Sequence, residues 1–337
     1  MNVLYVGNRL SVHGGALTGI EILGPLLENR GYSLRYASSK KNKALRLAHM
    51  LSAVFRYRNW ADRVLIDTYS TSNFWYAAAV GKLCRWLGLA YIPILHGGNL
   101  PSRLKTSGSH CQSLFGRSLI NVAPSGYLEK AFADAGFRVK MFPNPISLEK
   151  FAFKSREHAS PNLLWVRGIG PMSNPRMAIL ATAEIRKTHR GATLTMVGPD
   201  KFDMTGGLRE LARELEVDVR FTGRLSQEQW AALSTECDIF INTSTVDNAP
   251  FSLVEAMALG LFVVTTDVGG IPYVADNGND ALMVPDGDHL SMARAVEEII
   301  GNEQLRHRLQ QGAREKSLRF SAQEVMPQWD EILRAAP

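Results

Sequence analysis

The chain is an α/β protein of two doubly wound domains, and three observations predict this. Strand-length apolar runs alternate with helix-length periodic segments from end to end, the pattern of parallel sheets with crossover helices. The 337 residues are about twice the ~150 that make a typical domain. Near the middle, Phe142-Pro143-Asn144-Pro145-Ile146 allows neither helix nor ladder, because two prolines flank one residue; this places a domain boundary near residue 150.

In the first half, strands are expected at Val3 to Val6, Ser33 to Ala37, Arg63 to Ile66, Tyr91 to Leu95, Leu119 to Val122 and Val139 to Phe142. Helices are expected at Leu17 to Glu28, closed by Gly31, then at Ala44 to Arg56, Asn73 to Leu87 and Gly126 to Ala135. The second half repeats the rhythm with strands at Leu163 to Val166, Thr193 to Val197, Val219 to Phe221, Ile239 to Ile241, Phe262 to Thr265 and Ala281 to Val284. From Ser321 to Leu333, Val325, Trp329 and Leu333 recur at helical spacing, so this last helix must pack on something. The expected division is 1–150, 151–320 and a terminal helix over 321–337. In sheets of this kind ligands bind beyond the carboxyl ends of the strands, at the switch point.

Composition narrows the functional classes. A 45% hydrophobic, 21% charged chain is ordinary globular sequence, no apolar run reaches the ~18 residues of a membrane span, and no leader pattern opens it, so a cytoplasmic location is expected. Cys84, Cys111 and Cys237 are an odd number at wide spacing, which fits reduced core thiols and no zinc framework. The net charge of +6 is unevenly placed: residues 1–150 carry 19 Lys and Arg against 7 Asp and Glu, and the remainder 19 against 25. A basic half points to phosphate-bearing partners. Within it, Lys40, Lys41, Lys43, Arg46, Arg56 and Arg58 flank Leu47, Leu51, Val54 and Phe55 without an intervening acid. The segment Lys40 to Arg58 reads either as a helix on an anionic membrane surface or as a solvated basic face over the core. Nucleic acid is not expected, since no finger, RNP-like strand or recognition-helix pattern is present.

Chemistry concentrates in a few segments. His13-Gly14-Gly15-Ala16 lies between strand one and helix one, where paired glycines let the backbone approach a phosphate. The spacing is not that of a dinucleotide fingerprint, which argues against a nicotinamide oxidoreductase. The richest stretch runs from Ser244 to Gly270. In it Pro250 suits the first turn of a helix, the amides of Phe251, Ser252, Leu253 and Val254 point toward an anion, and Glu255 lies one turn in, able to accept from hydroxyls. A plainer reading makes Asp247-Asn248 a helix cap and Glu255 a solvated acid.

The stretch Ser244 to Gly270 resembles the donor-binding segment of retaining glycosyltransferases of family 4, which have the GT-B fold: two Rossmann-like domains facing across a cleft. That family places two acids eight positions apart here, the second in a Glu-Ala-Met-Ala sequence; Asp247 and Glu255 match, with Asp where Glu is more usual. The likeness extends to His13-Gly14-Gly15, to Ile94-Leu95-His96-Gly97-Gly98, to Pro143-Asn144-Pro145-Ile146 through Phe151, and to Phe320-Ser321 and Trp329 in a last helix that crosses back to the first domain. The resemblance implies a catalytic set of His96, Asp247 and Glu255. It implies diphosphate contacts from Gly14, Gly15, Arg167, Phe251, Ser252 and Leu253, and nucleoside contacts from Gly223, Arg224, Leu225 and Glu255.

It further implies sugar transfer from a nucleoside-diphosphate sugar to a glycan or lipid-linked acceptor held by the first domain, with retention and without a metal or other cofactor. One departure stands out. Arg167 is offset by about one residue from the family's position, and Ser173 stands where the family carries a diphosphate-binding Lys. Losing one such cation costs on the order of 1–3 kcal/mol unless another base replaces it. A nonenzymatic partner subunit of the same fold, and a sugar-nucleotide epimerase, are therefore the alternatives.

Overall fold

The computed structural model describes residues 1–9 and 18–335. Its elements run β1 (Asn2–Val6), α1 (Gly19–Asn29), β2 (Ser33–Ala37), α2 (Lys43–Arg56), β3 (Arg63–Thr68), α3 (Asn73–Trp86), β4 (Tyr91–Leu95), α4 (Leu100–Thr106), α5 (Gly108–Phe115), β5 (Asn121–Ala123), α6 (Gly126–Asp134) and β6 (Val139–Met141). They continue with β7 (Asn162–Val166), α7 (Pro175–Ile185), β8 (Thr193–Val197), α8 (Thr205–Glu214), β9 (Asp218–Gly223), α9 (Gln227–Leu233), β10 (Ile239–Asn242), α10 (Phe251–Ala258), β11 (Phe262–Thr266), β12 (Leu282–Val284), α11 (His289–Gly301), α12 (Glu303–Leu318) and α13 (Ala322–Arg334). Every expected strand is present to within a few residues. Helices α4 and α5 were not foreseen, because seven or eight polar-rich residues carry little periodicity.

Two compact units result, Met1–Ile146 with Ala322–Pro337, and Ser147–Ser321. The first is a parallel sheet in the order β2-β1-β3-β4-β5-β6. Its inner strands β1, β3 and β4 are largely apolar because both faces are covered, whereas the edge strands β2 and β6 keep exposed positions. Gly31, at φ +85°, follows α1 as its left-handed terminator, as expected. On one face α1 and α13 pack together, with Trp329 edge-on to Phe142 at 5.5 Å and the Tyr32 hydroxyl donating to Asp330 at 2.9 Å. On the other lie α2, α3, α5 and α6 around Phe74, Phe115 and Phe132.

The second unit is a parallel sheet in the order β12-β11-β10-β7-β8-β9. Counted from its own first strand this is 3-2-1-4-5-6, the dinucleotide-fold order, with its switch point between β7 and β10. Arg156, which sequence reasoning passed over, is buried and closes this unit's entry, donating to the carbonyls of Lys154, Ser234, Cys237 and Leu259 and pairing with Asp238. All three cysteines are free and buried, and burial pushes the Cys84 thiol up to about 12 and those of Cys111 and Cys237 to about 11, which keeps them as unreactive thiols.

Candidate active site

At the switch point of the second unit the chain leaves β7 and β10 side by side, and the turns after these two strands carry the expected acids and base. Arg167 follows β7, and its Nη2 lies 2.7 Å from Oδ2 of Asp247, on the loop after β10. The Asp247 side chain is 11% exposed; desolvation raises its pKa, and the Arg167 guanidinium and the Asn248 amide pull it back down. Asp247 therefore does not cap the next helix, whose N-cap is Pro250.

The loop that holds Asp247 is pinned on two sides. Toward β7, the Thr243 hydroxyl donates to the Ser173 carbonyl at 2.7 Å and the Thr245 amide to the Met172 carbonyl at 2.9 Å. Toward β11, the Thr266 hydroxyl donates to the Ser244 carbonyl and the Gly270 amide to the Asp247 carbonyl. A Cβ on Gly269 would sit 2.1 Å from the Asp247 oxygen and one on Gly270 1.9 Å from the Asn248 oxygen, so the glycine pair exists to let these backbones touch. Gly198, after β8, serves the β7 turn in the same way: its Cβ would lie 1.7 Å from the Arg167 carbonyl.

Helix α10 begins at Phe251. The Leu253 amide turns back to the Pro250 carbonyl, which corrects the expectation that it is free for an anion. Among the described residues the amides of Phe251 and Ser252 make no hydrogen bond, as expected for a helix start. Glu255 is not the solvated acid of the plainer reading but is 6% exposed, and burial pushes its carboxyl up to about 7 despite the Gln227 amide and the nearby Lys150 charge. Gln227 Nε2 donates to Glu255 Oε1 at 2.5 Å. Gln227 opens α9 two residues after Leu225, with Ser226 as the N-cap between them, so the Gln227 bond ties Glu255 to the helix that follows the segment Gly223 to Leu225. Sequence reasoning missed Gln227, since a glutamine at a helix start reads as part of a cap.

Ser173 is no stand-in for a charged residue. It is buried, it donates to the carbonyls of Gly168 and Gly170, and it receives the Gly170 amide, so it shapes the turn after Arg167. In Asp286-Gly287-Asp288, the second Asp caps α11 through the Ser291 amide, and Asp200 likewise closes its own turn on Phe202 and Thr205. Among the described residues no three His, Cys, Asp or Glu side chains converge as a metal site would need.

In the first unit His96 directly follows β4, and its Nε2 lies 2.8 Å from Oδ1 of Asp67 near the end of β3. The Tyr5 hydroxyl, kept protonated by burial, donates to the same oxygen at 3.0 Å, and the Tyr69 ring stacks on His96 at 5.2 Å. Gly14 and Gly15, with His13, lie outside the described residues. In α2, Val54 and Met50 face the core, and Leu47 and Leu51 are half-buried. Arg46 turns inward to the carbonyls of Lys40 and Lys41 and to Asn8 Oδ1, so it leaves the basic surface to which sequence reasoning assigned it. Leu45 and Phe55 stay exposed, as do Lys41, Lys43 and Arg56, and the Arg58 guanidinium lies over the Phe55 ring.

A 3-2-1-4-5-6 sheet with a guanidinium, two free helix amides and buried acids at its switch point defines an α/β unit suited to a nucleotide diphosphate. Comparison with known proteins gives the family: the profile of the glycosyl transferases group 1 matches residues 148–316, half of the chain, and the chain belongs to that family. An exopolysaccharide phosphotransferase of Streptomyces coelicolor is 28% identical over 209 residues, 61% of this chain and 22% of that protein. A D-inositol 3-phosphate glycosyltransferase of Nocardioides sp. is 28% identical over 52% of this chain and 41% of its own. The chain thus spans less than half the length of these curated relatives. Among solved structures, Anabaena HepE in complex with UDP-glucose superposes with a TM-score of 0.77 at 19% identity, covering 99% of both chains, so the two share the GT-B fold.

Proposed function

We propose that this chain is a retaining, metal-independent glycosyltransferase of family 4 that moves a sugar from a nucleoside-diphosphate sugar to a glycan or lipid-linked acceptor. The observation that carries this reading is Glu255, a carboxyl almost wholly buried one turn into α10 and held by Gln227 beside the Gly223 to Leu225 turn. A buried acid in that position is costly for folding and is explained by a ligand whose ribose hydroxyls it accepts.

In this reading the costly step is departure of the diphosphate, as negative charge gathers on the leaving oxygen. Arg167 and the amides of Phe251 and Ser252 stabilise that charge. Asp247 accepts from hydroxyls of the transferred sugar, and its pairing with Arg167 keeps both groups oriented. His96 positions the sugar near the reacting carbon. Fixed protein donors do the work a divalent ion does elsewhere, which is why no metal is invoked.

A thermal-shift panel of UDP, GDP, ADP and their sugar conjugates in EDTA tests the donor assignment; UDP-glucose, which HepE holds, is the first probe. A ligand at ~100 times its Kd stabilises by ~2.7 kcal/mol, a shift of a few degrees in a chain of this size. The expected result is stabilisation by one nucleotide family, lost in Glu255→Ala. Ser173, which brings no charge to the diphosphate, favours one second reading, a nucleotide-binding partner subunit; stabilisation without any turnover in the presence of acceptors selects it.

The first unit is proposed to hold the acceptor, and Lys41, Lys43, Arg56, Leu45 and Phe55 to touch an anionic membrane surface, which makes the protein a peripheral one at the cytoplasmic face. No described helix is long and apolar enough to cross a membrane. In vesicle flotation, binding is expected to vesicles with anionic lipid, to weaken with salt and to fall in Leu45→Asp/Phe55→Asp. Equal binding to neutral vesicles removes this part of the proposal.

A further inference from the structure

We infer that Asp67 is a positioning residue for His96: it holds the imidazole by Nε2, so that Nδ1 is the ring atom left to meet a substrate hydroxyl. The contact is 2.8 Å, and Asp67, as a carboxylate, accepts only, which places the imidazole proton on Nε2. Among the described residues Nδ1 has no partner. The ring is also fixed by a stacked neighbour and by a close backbone approach at its Cε1–Nε2 edge. Tyr69 stacks on it, and a Cβ on Gly19, at the start of α1, would lie 2.5 Å from its Cε1.

Asp67 is an unlikely structural choice for its place. It sits among Leu65, Ile66 and Thr68 in β3, an inner strand of the sheet, with its side chain wholly buried and Oδ2 without a hydrogen-bond partner. Packing alone is better served by an apolar residue there. The backbone is cut back to admit the carboxylate: a Cβ on Gly7 would meet Oδ2 at 2.4 Å. The place is also the switch point of this sheet, where β1 and β3 are neighbours and their connections part, the position at which such sheets hold ligands. A cavity of about 10 Å³, room for one water, lies there against Gly7, Asn8, Asp67, Asn73 and Tyr76. A glycine, a stacked tyrosine and a buried carboxylate converge on one imidazole, and a second glycine makes room for the carboxylate.

The effect on turnover rests on the transferase reading above; the placement of the proton does not. The two are tested separately. With histidine labelled by ¹⁵N and the His96 signals assigned through His96→Gln, the wild type is expected to show a protonated, slowly exchanging Nε2 and a bare Nδ1. In Asp67→Leu, which removes the acceptor at nearly constant shape, that protected proton is expected to disappear. A bare Nε2 in the wild type, or an unchanged spectrum in Asp67→Leu, overturns the inference.

In the transfer assay Asp67→Leu is expected to lower kcat about 10- to 100-fold, the scale of one lost charged hydrogen bond, with the donor KM within about threefold. Asp67→Leu/His96→Ala is expected to be no worse than His96→Ala alone. Additive losses, or an unchanged kcat in Asp67→Leu, overturn the functional half. Gly19→Ala guards against a folding defect at Asp67: it leaves the carboxylate intact, suits a helix, and is expected to lower kcat by displacing the ring. A wild type that transfers no sugar refutes the transferase reading, while the spectrum still decides where the proton sits.

Discussion

Arg167→Ala is expected to reduce sugar transfer by about 100- to 1,000-fold, the usual consequence of removing one donor aimed at developing charge. It is also expected to destabilise the second unit, by on the order of 2 kcal/mol, because it leaves the buried Asp247 carboxylate without its counter-ion; the partial exposure of Arg167 keeps the figure below that of a fully buried pair. The sign with pH follows. Burial already raises Asp247, and Arg167 is the largest influence holding it down. Without Arg167 the folded-state pKa climbs further above the unfolded value, so the loss of stability grows as pH rises through it. Melting curves from pH 4 to pH 8 measure this. Arg167→Ala/Asp247→Asn is expected to recover most of the stability and none of the activity, because the double variant buries no unpaired charge yet still lacks both groups. A stable, active Arg167→Ala removes the pair from the mechanism.

Glu255→Gln is expected to weaken donor binding about 10- to 100-fold, since ribose hydroxyls lose a charged acceptor. The same variant separates binding from folding. With Glu255 lifted from 4.5 to about 7 by burial, the native state holds more protons than the unfolded chain between those values. Stability contributed by this group is therefore present at pH 4 and lost as pH rises to about 7, by on the order of 3 kcal/mol. At pH 8 Glu255→Gln is expected to melt higher than the wild type, and at pH 4 at nearly the same temperature. Donor affinity of the wild type is expected to fall below pH 7 as the carboxyl takes up its proton, and that of the variant to stay level. Titration calorimetry at four pH values reads both slopes; a flat wild-type profile means Glu255 does not carry the bound nucleoside.

A stabilising substitution at a binding acid is consistent with how the site is assembled. The acids of the second unit are held by glycines that let loops touch, by threonine hydroxyls that close on neighbouring carbonyls, and by a switch-point topology that places two turns side by side. Each of these favours a bound anion or hydroxyl over a tight apolar core, the balance expected where function sets the residue.

Much of the architecture is legible in the residues alone. Runs such as Val3 to Val6 and Phe262 to Thr265 are apolar on both faces, which only a covered parallel strand tolerates, and Gly31 and Pro143-Asn144-Pro145 stop the chain where local dihedrals require it. Asp247, Glu255, Arg167 and His96 were also named from sequence, through the resemblance of their segments to the family's motifs; residue types alone favoured the plainer reading of a helix cap and a solvated acid for Asp247 and Glu255. Only the tertiary structure decided which groups they meet. Asp67 is about 30 residues from His96, Gln227 is 28 from Glu255, and Arg167 is 80 from Asp247; none of these pairs leaves a periodic or motif signal. Arg46 and Ser173 show the same limit in reverse: their residue types suggest a basic surface and a missing cation, whereas their neighbours turn one inward to backbone carbonyls and make the other a turn-builder. Sequence pattern encodes the one-dimensional periodicity of burial. Hydrogen-bond partners and the dielectric around each acid are set by parallel-strand order, which brings distant turns together.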